Sequence, residues 1–203
     1  MRKICVVGLL NSGKSTLLSV LTRTDGVFPA GARPALTKNV VRWRDGHVEW
    51  IDTPALDSGL VPEEQIIQTC ATADLVLWCH SVRLGELHRN EINALEKCLA
   101  NRISPRHIVM VVSHRDGVLR KEIERNVIKA IRSQMRGLLE NVLGIARTGE
   151  TKPGWRWGKL YSLDLYTAFH NPMNRRSRKL IQELRARCVQ GSSERMHACV
   201  ATF

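Results

Sequence analysis

Residues Gly8 to Ser15 read GLLNSGKS: a glycine, four residues, then Gly-Lys-Ser. That spacing suits the holding of a polyphosphate. Glycines at 8 and 13 let backbone N–H groups turn inward around the anion, Lys14 reaches its β and γ oxygens, and the Ser15 hydroxyl can ligate Mg²⁺. A helix starting here would add partial positive charge where the phosphates lie. A second oxygen for the same ion is available from Asp52, which ends the strand-like run VEWID 38 residues after Lys14. An isolated strand-end aspartate is more often a helix cap or turn former. Here a hairpin lies between the two segments, where a phosphate-sensing loop would be, and the carboxylate would face the ion from the side opposite Ser15.

Such residues need a frame that brings strand ends together. Lys3 to Val7 is a strand apolar on both faces, and Lys14 to Leu21 a helix with Leu17, Leu18 and Leu21 on one side. Asn39 to Arg44 and His47 to Ile51 are strands joined by the turn Asp45-Gly46, a hairpin signal. Asp74 to Ser81 is the next strand, followed by a helix from Glu86 to Leu99 with Ile92, Leu95 and Leu99 aligned. Arg106 to Val112 is a strand, and Leu119, Ile123, Val127, Ile131 and Met135, spaced by four, mark another helix. Lys159 to Leu165 is the last strand and Pro172 to Val189 the last helix, with Leu180, Ile181, Leu184 and Cys188 as its inner stripe. Strands alternating with helices predict an α/β fold: a doubly wound, mostly parallel sheet with one antiparallel edge strand. Between Gly144 and Trp157 the run GIARTGETKPGWRW has no periodicity and reads as a surface loop.

The 203 residues suit one compact domain, taken as 1–190, with a frayed tail over 191–203. With 43% hydrophobic and 25% charged residues, the chain is neither disordered nor fibrous. Its longest apolar runs, Leu75 to Cys79 and Ile108 to Val112, fall far short of the ~18 residues that span a membrane. The opening MRKICVVGLL is interrupted by Asn11, Ser12, Gly13 and Lys14 and lacks a cleavage pattern, so a cytoplasmic address is expected. Six cysteines never come closer than nine positions, which leaves no CxxC pair; Cys5 and Cys79 read as buried thiols. His80 reads as a satisfied structural residue and His88 as a helix-surface one, neither with a metal-binding neighbour at ligand spacing.

With these residues in place, the chain resembles an Era-like small GTPase of the translation-factor-related P-loop class, over about residues 3 to 190. The family's GxxNxGKST is met by Gly8, Asn11, Gly13, Lys14, Ser15 and Thr16, with Ser12 inside the loop. Its lone loop threonine corresponds to Thr37 in PALTKNV. The resemblance implies GTP and Mg²⁺ as ligands, the ion held by Ser15, Thr37 and Asp52, and Lys14 and Thr37 acting in hydrolysis. DTPG becomes Asp52-Thr53-Pro54-Ala55: Ala55 keeps the N–H meant for the γ-phosphate but resists positive φ. Leu56 follows where related enzymes carry a water-orienting glutamine, so hydrolysis is expected to be slow. Asn11 matches an asparagine that in some similar GTPases helps hold an activating K⁺, a further candidate cofactor. The guanine-reading [NT]KxD is met by Ser113-His114-Arg115-Asp116, with the aspartate kept and Ser113 and His114 substituted. The Asp116 carboxylate would take two base N–H groups, which adenine cannot supply; a strand-end Asp-Gly turn is the plainer reading. The SA-type loop behind the base is matched loosely by Ser162 and Leu163.

Charge is divided unevenly. Residues 1–100 carry 11 Lys+Arg and 11 Asp+Glu, whereas residues 101–190 carry 19 and 7. Arg175, Arg176, Arg178, Lys179, Arg185 and Arg187 are expected on the outer side of the last helix. Arg120, Lys121, Arg125, Lys129, Arg132 and Arg136 decorate the preceding one, and the two sets could merge into one patch. Trp155-Arg156-Trp157 suits stacking on exposed bases or docking on a protein. The first reading is therefore a GTP-binding switch with slow Mg²⁺-dependent hydrolysis and an RNA or ribosome partner. An acidic protein or membrane surface is the alternative partner. A scaffold- or membrane-associated regulatory GTPase, EutP-like in size, and a small P-loop metabolite or nucleotide kinase with residues 144–157 as its lid are the competing functions.

Overall fold

The computed structural model describes residues 1–24, 26–28, 39–114, 121–143, 160–162 and 175–190. The first strand, β1 (Arg2–Gly8), is apolar from Ile4 to Val7 because both its faces are covered. Cys5 and Val7 enter one core, Ile4 and Val6 another. After α1 (Lys14–Thr22) comes the hairpin of β2 (Val41–Asp45) and β3 (Val48–Asp52), its turn made by Gly46 at φ 58°. The remaining elements among the described residues are α2 (Glu63–Ala71), β4 (Leu75–Ser81), α3 (Arg89–Ala100), β5 (Ile108–Ser113), α4 (Lys121–Leu143), β6 (Tyr161–Ser162) and α5 (Arg175–Gln190).

The six strands run in the order β2-β3-β1-β4-β5-β6. All pairings are parallel except β2 with β3, so the antiparallel strand lies at the edge, as expected. The chain goes one way from β1 to β3 and the other way from β1 to β4, β5 and β6. That places the topological switch at β1, whose carboxyl end is where such sheets bind ligands. The apolar stripes of α1 and α5 cover one face, while α2, α3 and α4 cover the other. Gln134 secures α4 by accepting the Leu87 N–H at 2.8 Å and donating to the Leu87 carbonyl at 3.3 Å.

Three expectations change. The helix α2 is absent from the sequence reading, because its nine residues carry only Ile66, Ile67 and Cys70 inward, too short a stripe for periodicity. Its signal was Pro62 followed by Glu63 and Glu64, acids that favour a helix N-terminus. Next, α3 begins at Arg89, later than Glu86, because Gly85 at φ 79° ends a short 3₁₀ turn; Glu91 then accepts the His88 N–H at 3.1 Å and closes the cap. Finally, the two basic helices lie on opposite faces of the sheet, so their charges do not merge. Nor do all six α5 cations face outward: Arg185 pairs with Asp45 at 3.3 Å, and Arg187 donates to the Arg106 carbonyl at 3.4 Å. The loop 144–157 and the tail 191–203 lie outside the described residues.

Candidate functional site

The loop GLLNSGKS leaves the end of β1 and delivers the chain into α1. Gly8 is at φ 154°, and a Cβ there would stand 2.1 Å from the Cys79 carbonyl oxygen on β4. The close approach of β4 therefore demands this glycine, beyond the inward turn of N–H groups inferred from the motif. Gly13, at φ 89°, precedes α1. Among the described residues no side chain caps α1 and no acid lies in its first turn, so its leading N–H groups face the loop's concavity. The Lys14 ammonium folds back to donate to the carbonyls of Gly8 at 3.2 Å and Leu9 at 2.8 Å. Burial lowers its pKa, against the opposing pull of Asp52, Cys79, Asp57 and Glu91. A cation so poorly solvated gains much from an arriving polyanion.

At the mouth of the loop, Ser15 Oγ donates to Asp52 Oδ2 at 2.7 Å. Asp52 is fully buried at the end of β3, in register with Val6 of β1. Thr53, the next residue, anchors it by donating its hydroxyl to the Val6 carbonyl at 2.8 Å. Two hard oxygens at this separation suit Mg²⁺, whose neighbouring ligands in an octahedron stand roughly 2.9 Å apart. The pair fits that ion directly or with one oxygen reaching it through water.

The segment expected to read guanine is only partly described. Ser113 ends β5, fully buried, and gives its one hydroxyl proton to the Ser12 carbonyl at 2.6 Å. With that proton committed, Ser113 Oγ accepts from His114 Nδ1 at 2.9 Å, which assigns the ring hydrogen to Nδ1. Ser113 thus braces the phosphate loop, and half-buried His114 takes a left-handed backbone at φ 55°. Register places Ser162 beside Val112, at the same end of the sheet. Thr37, Asp116 and Leu163 lie outside the described residues. Asn11 is exposed at φ 55° on the loop's outer side, Thr16 is half-buried in the first turn of α1, and Ala55 is buried.

Two residues gain roles that the motifs did not announce. Asp57 Oδ1 accepts the Leu10 N–H at 2.7 Å, tying the segment after β3 to the phosphate loop. An acid five residues past the strand-end Asp52 was the available signal. Glu91, fully buried on α3, meets His80 Nδ1 at 2.9 Å and Trp78 Nε1 at 3.2 Å, while His80 Nε2 meets the Gly85 carbonyl at 2.9 Å. His80 is a satisfied structural residue, as read. Acceptors at both nitrogens favour the doubly protonated ring, and against burial, which lowers the His80 pKa, the Glu91 hydrogen bond and charge raise it.

A strand, a phosphate-binding turn, an uncapped helix and a facing Ser–Asp pair define the class as a P-loop nucleotide-binding domain. The family described as 50S ribosome-binding GTPase matches residues 3–134, and the chain belongs to it. An uncharacterized protein of Acinetobacter baylyi is 30% identical over 136 residues, covering 65% of this chain and 32% of that protein. The chain thus spans about a third of this curated relative. Among solved structures, Era of Aquifex aeolicus bound to GDP and tetrafluoroaluminate superposes with a TM-score of 0.60 at 16% identity, covering 90% of this chain and 57% of that one. A bacterial selenocysteine-specific elongation factor gives 0.53 at 16% identity, covering 91% and 29%. Both share the fold of this domain. No helix among the described residues is long and apolar enough to cross a membrane.

Proposed function

We propose that this domain is a GTP-binding switch that hydrolyses its nucleotide slowly with Mg²⁺ and works on ribosomal or other RNA. The observation that carries the nucleotide part is the 2.7 Å pair of Ser15 and Asp52 across an uncapped α1. Bound Mg²⁺ would neutralise charge on the β and γ oxygens. The chain's own part is positional. Lys14 turns from the loop carbonyls to the phosphates, Ser15 and Asp52 hold the ion with Thr37, and Asp116 accepts the two base N–H groups. Ser113, through the Ser12 carbonyl, keeps base-binding and phosphate-binding segments at a fixed spacing. Slow turnover follows from Leu56, an apolar side chain packed toward the core where a water-orienting group would be needed.

The partner reading draws on the family's description and on charge. On α4, Arg125, Lys129, Arg132 and Arg136 are all exposed at spacings of four, three and four, hence on one side of the helix. None of the four has an ion pair among the described residues, whereas α5 spends Arg185 and Arg187 on internal contacts. The α4 stripe is the surface we assign to a phosphate backbone. Asp116→Asn tests the guanine assignment: affinity should move from GTP to xanthosine triphosphate, since the amide now matches a base with one donor replaced by an acceptor. Unchanged GTP affinity, or tight binding of ATP by the parent protein, refutes it.

A further inference from the structure

The segment between β3 and α2 holds a carboxylate against the phosphate loop. Asp57 is exposed, and its Oδ1 accepts the N–H of Leu10 at 2.7 Å. That N–H belongs to GLLNSGKS, whose amides are the groups a polyphosphate would take. Backbone geometry brings Asp57 there independently of its own side chain. Leu56 N–H donates to the Gly8 carbonyl at 3.2 Å, and Ser58 closes a turn on the Ala55 carbonyl through its N–H at 3.1 Å and its hydroxyl at 2.7 Å. The segment starts at Asp52, beside the Ser15 and Asp52 oxygens that would hold Mg²⁺, an ion that would offset charge on the terminal phosphates.

We propose that Asp57 is an internal anion at the terminal-phosphate end of the loop, and that it sets the ratio of affinities for nucleoside triphosphate and diphosphate. The inference rests on the nucleotide-binding reading above and adds the residue that grades phosphate number. A carboxylate and a phosphate oxygen are both anionic acceptors, so they compete for the same donor and repel each other at close range. A triphosphate must swing Asp57 outward. A diphosphate, shorter by one phosphate, ends nearer the α1 N-terminus and leaves the contact in place. Leu56 donates to a carbonyl and does not compete for the anion, so it retains the segment when Asp57 is displaced.

The test is equilibrium titration of the parent protein, Asp57→Ala and Asp57→Asn with GTP, GDP, ATP and ADP, each with Mg²⁺. Removing one repelling unit charge at an exposed site should tighten triphosphate binding about five- to tenfold and leave diphosphate within about twofold. Asp57→Asn, which keeps an acceptor without charge, should fall between, and the differences should shrink at about 1 M salt. Hydrogen exchange gives a readout independent of nucleotide: the Leu10 amide should exchange faster in Asp57→Ala than in the parent protein, both nucleotide-free. Equal changes for tri- and diphosphate, no change, weaker triphosphate binding by Asp57→Ala, or unaltered Leu10 exchange would each overturn the proposal. If adenine nucleotides bind in place of guanine ones, the base assignment fails, and the ATP-to-ADP ratio still judges Asp57. If no purine nucleotide binds any variant, both readings fall.

Discussion

Replacing Gly8 with alanine separates two reasons for a glycine at the start of the phosphate loop. If only conformational freedom matters, the substitution should act like alanine at another left-handed position. If the approach of β4 matters, it should be far worse. The added Cβ would lie 2.1 Å from the Cys79 carbonyl oxygen and 2.9 Å from Ser12 Oγ, so one strand end must retreat by more than an ångström to reach ordinary contact. That retreat is hard, because Cys79 pairs with Gly8 on one side and Val111 on the other, in the centre of the sheet. Overpacking of this kind costs about 1–3 kcal/mol, and a side chain forced into a sparsely populated backbone region costs about 1–3 kcal/mol more. Together they remove a large part of a stability on the order of 5–15 kcal/mol. Melting should fall by about 5–15 °C in a domain this size. Gly46, at φ 58° with nothing within 4 Å of an added Cβ, is the control; alanine there should cost only about 1–2 kcal/mol. Urea unfolding at constant m compares the two directly. Equal midpoints for Gly8→Ala and Gly46→Ala would refute the claim that β4 demands this glycine.

Two other expectations concern charge. Burial lowers the proton affinity of His80, but the hydrogen bond and charge of Glu91, with the Gly85 carbonyl, more than offset it, so the pKa in the fold lies above 6.5. A raised folded pKa contributes stability that is complete below the unfolded value of about 6.5 and is lost as pH rises through the folded one. Urea midpoints should therefore decline with rising pH above that point, and Glu91→Gln should lower stability by about 3 kcal/mol while flattening the decline; a Glu91→Gln protein that keeps the parent pH slope would contradict the ion pair. On α4, alanine at Arg125, Lys129, Arg132 and Arg136 together should weaken single-stranded RNA binding and reduce its log–log salt slope by about 3. Filter binding across a salt series reads that slope, and an equal loss from Arg178→Ala with Lys179→Ala would move the contact to α5.

The parts of the site legible from sequence were those built from short, contiguous segments. GLLNSGKS announces both its backbone and its chemistry because strand, turn and helix follow one another without interruption. Asp52 was recoverable because hairpin spacing predicts where its strand ends. The roles of Ser113 and Asp57 depend on distances between segments separated by 101 and 47 positions, which no local pattern encodes. Ser113 stands in a base-reading signature, yet its hydroxyl points to the phosphate loop. The short helix α2 shows the same limit: three inward residues specify a helix only once β1 and α3 supply the surface they cover. The separation of the basic helices was also beyond the sequence, since each carries an apolar stripe that would fit either face.

Unequal anchoring around the loop gives the switch reading its physical basis. Among the described residues, three sides of the site are fastened to the sheet by buried bonds: Thr53 to Val6, Ser113 to Ser12, and β1 to both neighbours in full register. The fourth side, from Ala55 to Leu60, is held by the exposed Asp57 contact, the Leu56 tie and a turn closed on itself. Buried bonds leave unsatisfied groups when broken, whereas exposed ones exchange with water at little net cost. Energy from an anion entering the loop would therefore release the exposed Asp57 contact before it disturbed the buried bonds, while the Leu56 tie keeps the segment attached. Among the described residues, the segment leading into α2 is therefore the one expected to move first, and the composition of the chain alone would not have indicated it.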